Sequence, residues 1–96
     1  MDFLVLASAV AMGSALAAGQ LMFAWFFMGQ IEDRAALRLA TISGYAAIAL
    51  AATAWCIRMA ALPDPWYDPF VLSWLAALAV GIALLGHRRA AALASA

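Results

Sequence analysis

The sequence predicts an all-α membrane protein in which three transmembrane helices are joined by short loops, and three observations carry that expectation. The first is composition: 70% of the 96 residues are apolar, 10% are charged, and the mean hydropathy is +1.02, whereas a soluble domain sits nearer half apolar. The second is where the charges fall. They cluster, leaving three uncharged stretches, Phe3 to Ile31, Leu39 to Ile57 and Pro69 to Gly86. The third is that these stretches are apolar on every side, without the alternation of a transmembrane strand. Backbone groups in hydrocarbon must be satisfied within the segment, which a helix does and an open strand does not.

A helix rises about 1.5 Å per residue, so roughly 20 residues cross a hydrocarbon core of about 30 Å, and slightly shorter stretches suffice when flanking side chains reach the interface. The spans are placed at approximately residues 3–31, 37–62 and 69–88 of a single membrane domain covering 1–96. The first is long enough to tilt or protrude. Ala15-Leu16-Ala17 before Ala18-Gly19 resembles a signal-peptidase site. The start Met1-Asp2-Phe3 carries no positive charge, however, and apolar residues continue through Leu21 to Met28, so a retained span is expected.

The connections differ in chemistry. In Gly29-Gln30-Ile31-Glu32-Asp33-Arg34 a glycine can end one helix and Asp33 can cap the next, which predicts a tight helical hairpin. Pro63-Asp64-Pro65-Trp66-Tyr67-Asp68-Pro69 carries three prolines, which forbid a helix interior and stiffen the loop. Asp68 followed by Pro69 is the expected start of the third helix, with the acid as N-cap and proline in the first helical position. The Ala-rich tail from Ala90 to Ala96 is expected to continue that helix and fray.

All five basic residues are arginines. With three crossings, Arg34, Arg38, Arg88 and Arg89 share one side against Arg58 on the other. The positive-inside rule makes the first side cytoplasmic, leaving the N-terminus, with Asp2, and the proline-rich loop outside. Trp55, Trp66, Tyr67 and Trp74 then gather toward the outer interface and Phe23, Trp25, Phe26 and Phe27 toward the inner one. The abundance of alanine and lack of lysine fit a bacterial inner membrane.

Five arginines balance five acids, so there is no basic field to capture nucleic acid. A proton- or ion-coupled transporter keeps an ionisable residue in mid-membrane, and none of the three stretches holds one. Cys56, the single cysteine, has no second thiol for a disulfide and reads as a small packing residue. Gln20 is the most polar side chain deep in the first span and is expected to face protein; a hydrogen bond to a quinone or pigment carbonyl is the functional alternative. Tyr45, Thr41, Ser43 and Thr53 have similar standing, with hydroxyls able to bond back to the helix's own carbonyls. His87 is a candidate pigment ligand, set against solvation at the helix end beside Arg88 and Arg89. Arg58, beside the proline-rich loop, either extends to the interface or pairs with Asp64, Asp2 or a partner's carboxylate.

Small residues recur every four positions: Ala9, Gly13 and Ala17; Ala40 and Gly44 with Ser43, Ala47 and Ala51; and Ser73, Ala77 and Gly81. Lipid supplies no hydrophobic drive between helices, so association relies on backbones approaching along small side chains. Gly13, Ala17, Gly44, Ala47, Ser73, Ala77 and Gly81 are the expected packing positions, and Arg58, Asp64, Trp66, Tyr67 and Asp68 the expected outer-loop interface. The functional expectation is a non-catalytic accessory subunit of a larger inner-membrane complex, respiratory or photosynthetic, whose partners are larger membrane subunits and the bilayer. The rival classes are a holin-like pore-forming homo-oligomer and a small transport component or protein binding lipid, quinone or pigment.

Overall fold

The computed structural model describes residues 3–95, over which the chain forms α1 (Phe3–Met28), α2 (Arg34–Ala61) and α3 (Tyr67–Ala94), with no strand among the described residues. Each helix is long and apolar enough to cross a membrane, which makes the chain a multi-pass membrane protein. Asp2, expected on the side of the proline-rich loop, lies outside the described residues, as does Ala96 at the end of the tail.

Helix ends follow local chemistry, with two departures from the sequence reading. Asp33 caps α2 as expected, its side chain accepting from the Ala35 amide at 3.1 Å. Gly29 does not end α1 in a left-handed conformation, since no described residue has a positive φ. The helix instead tightens, through Gln30 N–H to Phe27 O and Ile31 N–H to Met28 O. Helix α3 starts at Tyr67, two residues before the expected Pro69, and the acid that serves its first amides lies four residues before the expected one. Asp64, not Asp68, accepts from the amides of Trp66 (2.8 Å) and Tyr67 (2.7 Å), and the Asp68 amide bonds the Asp64 carbonyl. The pair Asp64-Pro65 thus does the work assigned to Asp68-Pro69. Asp68 reaches back to the Asp64 amide at 3.1 Å, reciprocally, as in a capping box. Pro69 is tolerated because it sits in the first turn. Helix α3 continues through Ala94, well past residue 88.

The helices stand in a row in the order α1, α3, α2. Helix α3 packs along both others, while α1 and α2 barely meet. The Cα atoms extend 50 × 25 × 15 Å. Three helices side by side at 8–10 Å need a width of about 20–25 Å, whereas a triangular bundle needs only about 15 Å. The expected tight hairpin is therefore open: the end of α3 lies between α1 and α2, where the Met28 Cε and the Thr41 side chain both approach Gly86. Five linking residues reach about 17 Å when extended, enough to pass a helix.

Glycine contacts give the register. Gly13 lies against Phe70, Ser73 and Trp74, and Gly81 against Leu21, so α1 and α3 run parallel; Gly44 faces Ile82 and Gly86 faces Thr41, so α2 and α3 run antiparallel. A Cβ on Gly13 would overlap the Ser73 hydroxyl and the Phe70 carbonyl, and one on Gly81 would overlap the Leu21 isobutyl group. Ala9, Gly13 and Ala17 of α1 are buried, as are Val71 and Leu75 of α3. Gly44, Ser73, Ala77 and Gly81 are half-buried, whereas Ala47, expected at the same kind of contact, is exposed. Cys56 is exposed as well, so it does not serve as an internal packing residue.

This packing predicts that two glycines of one helix differ sharply. Gly13→Leu forces α1 off α3 and costs roughly 1–3 kcal/mol or more. Gly19, which has nothing within 4 Å of an added Cβ, tolerates leucine within about 0.5 kcal/mol. Equilibrium unfolding of the isolated protein in mixed micelles measures both, and equal costs would contradict the row.

Candidate functional site

A connected cluster of polar and aromatic side chains gathers at the end of the row that carries the proline-rich loop. Asp64 and Asp68 hold the loop from within, and Asp68 also accepts from the Trp55 indole of α2 at 3.0 Å. Trp66 reaches across to α1, donating from Nε1 to the Ser8 hydroxyl at 2.9 Å while stacking on Phe70 at 5.1 Å. The Arg58 guanidinium lies over the Tyr67 ring, 4.0 Å from its centroid. All five residues expected to form an outer-loop interface are thus brought together, and they join the three helices of this chain.

Asp64 sits at the electrostatic centre of the cluster. Hydrogen bonds from the Tyr67 and Trp66 amides hold its carboxyl below the ordinary value of 3.8; partial burial opposes them, and the nearby Arg58 charge assists. Arg58 therefore acts on Asp64 through its field, with its direct contact spent on Tyr67.

Beneath this clamp runs an open groove of about 710 Å³. Leu6 and Val10 of α1 and Trp55 and Met59 of α2 form its walls, and Leu72 and Ala76 of α3 its floor. Such a groove exists because α3 separates the two flanking helices. Apart from Ser73, whose hydroxyl donates to the Phe70 carbonyl, it is apolar except at its mouth, where Asp64 and Asp68 are already engaged by the loop. Its chemistry suits an apolar helix or acyl chain, and Pro63, Pro65 and Pro69 stiffen the end of it beneath the loop.

Gln20, weighed for a quinone or pigment, accepts from Trp74 Nε1 at 2.7 Å and so fastens α1 to α3. Ser8, Thr41, Thr53 and Ser73 each bond back to a carbonyl three or four residues earlier. At the opposite end of the row, Arg89 donates from Nε (2.9 Å) and Nη2 (2.6 Å) to the Ile31 carbonyl, closing the first loop onto α3. His87 is exposed there and lines, with Arg34 and Arg38, a second groove of about 620 Å³ between α2 and α3. No group of three or more His, Cys, Asp or Glu is placed to hold a metal among the described residues.

The sequence reading missed the links Trp66–Ser8, Trp74–Gln20 and Arg89–Ile31. Each joins residues more than fifty positions apart. The signal that could have found them is a count of buried polar groups needing partners: few exist in apolar spans, and an indole N–H in lipid must find an acceptor.

The clamp should be acid-sensitive. Because the folded Asp64 carboxyl titrates below 3.8, its contribution is complete above the unfolded value and is lost as pH falls through the folded one. Tryptophan fluorescence and protease access to residues 63–68 should report loosening only in that acidic window. Asp64→Asn keeps a capping oxygen and should reduce the acid step, whereas Asp64→Ala should loosen the loop at neutral pH; an unaltered acid step in Asp64→Asn would assign it elsewhere.

No family model, curated protein or solved structure matches this chain, so its function is to be read from its own geometry.

Proposed function

We propose that the chain is a non-catalytic accessory subunit of a larger membrane complex, seated in a bacterial inner membrane and acting by helix packing. The observation that carries this reading is a second small-residue stripe on α1. Ala9, Gly13 and Ala17 are buried against α3, while Ala7, Ala11, Ala15 and Gly19 are exposed. At about 100° per residue the two stripes lie on roughly opposite sides of the helix. A lipid-facing surface gains nothing from small side chains, whereas a helix that must approach another closely needs them. The outer edge of the row therefore suits a further helix, and the apolar groove at the proline-loop end offers a second seat beside it.

The use of the polar groups supports a packing role. Gln20, Ser8, Asp64, Asp68 and Arg89 are each committed to a bond that holds the chain together. A cofactor at Gln20 would have to displace Trp74.

Co-purification from native membranes tests the proposal. Gly19→Leu and Ala15→Leu, both outside the intramolecular contacts, should release a larger partner while leaving the helices folded. Loss of self-association instead would support a homo-oligomeric pore, and retention of every companion would overturn the packing role of this edge. The arginine distribution supports a cytoplasmic C-terminus. A C-terminal reporter should be active there, and a periplasm-active fusion would reverse the topology.

A further inference from the structure

The arginine end carries a second groove that the packing role does not use. Its walls are the first two turns of α2, with Arg34, Leu37 and Arg38, and the last turns of α3, with His87. Three features make it more than a fringe of solvated charge. Arg34 and Arg38 are four residues apart, so they stand together on one side of α2. That juxtaposition of like charges is unfavourable by itself, and the adjacent Asp33 carboxylate is occupied by the Ala35 amide. The facing side of α3 bears Gly86, Ala90, Ala91 and Ala94, which leave the groove about 620 Å³ of space. Arg89, by contrast, is turned away to the Ile31 carbonyl. Below the cations the groove continues past Thr41 and Ile42 to Tyr45, and the Thr41 hydroxyl is bonded to the Leu37 carbonyl, which leaves an apolar channel.

We propose that this groove binds one anionic phospholipid. Its phosphate lies between Arg34, Arg38 and His87, and an acyl chain runs along α2 and α3 toward Tyr45. The positive end of the α2 dipole adds to the attraction at Arg34. Basic pockets between transmembrane helices bind acidic headgroups by the same chemistry. An inorganic phosphate would satisfy the cations equally well but would leave the channel unfilled, so the groove's length selects the lipid. This inference concerns the isolated chain and does not depend on its having a partner subunit.

The test is native mass spectrometry of the full chain in detergent, titrated with phosphatidylglycerol or phosphatidylcholine. One phosphatidylglycerol should be retained in preference to phosphatidylcholine. Arg34→Gln with Arg38→Gln should lower its retention about 30-fold, from roughly a fivefold loss at each cation. Arg34→Lys with Arg38→Lys, which keeps both charges, should retain most of the binding. Ala91→Phe fills the groove at the level of the cations without removing a charge and should weaken phosphatidylglycerol as well, and it decides the matter if the double glutamine variant loses its helicity. Equal retention of the two lipids, or full retention in Ala91→Phe, would overturn the proposal. Competition by inorganic phosphate at concentrations matching the lipid would reassign the groove to a free anion.

Discussion

Everything else in this fold depends on the close approach of α1 to α3 along Ala9, Gly13 and Ala17. At Gly13 the space for even one methyl group is taken by the Ser73 hydroxyl and the Phe70 carbonyl, and eight residues later Leu21 takes the same space at Gly81. Lipid offers α1 as apolar a surface as a neighbouring helix does, so only contact density and directed bonds can hold the pair. Once α1 lies along α3, α2 is left the opposite side of α3, where Gly44 and Gly86 admit Ile82 and Thr41 more loosely.

The polar side chains reinforce this arrangement at each level. Trp66 to Ser8, Trp74 to Gln20 and Arg89 to Ile31 tie α3 to α1 and its loop; Trp55 to Asp68 and Arg58 over Tyr67 tie α3 to α2. Each is stronger away from water than at an aqueous surface. All of them include a residue of α3 or of the loop leading into it, which makes α3 the member that organises the other two.

A row of helices has consequences that a bundle does not. Each flanking helix keeps a side turned outward, and α3, the most enclosed, still shows both faces of the layer. The two ends are chemically unlike. The proline-loop end has its acids bonded internally, while at the opposite end two arginines and a histidine line a groove together with Ala90, Ala91 and Ala94. One end thus favours apolar shape, and the other favours an anion with an apolar tail.

The sequence by itself determined the solvent, the number of helices, their approximate limits and the Asp33 cap, because hydropathy, length and capping are properties of consecutive residues. It also marked Gly13, Gly44 and Gly81 as close-approach points. Tertiary structure alone decided that α3 stands between its predecessors and that the cap of α3 is Asp64. Two Asp-Pro pairs four residues apart offer the same local signal, and the choice between them rests on Asp68 bonding Trp55 of another helix. Likewise, alanine occurs so often that four-residue spacing is satisfied on several sides of one helix. Periodicity could not tell Ala17, which is buried, from Ala15 or Ala47, which are exposed; only the bulk and polarity of the facing helix distinguishes them, and that helix lies far away in the chain.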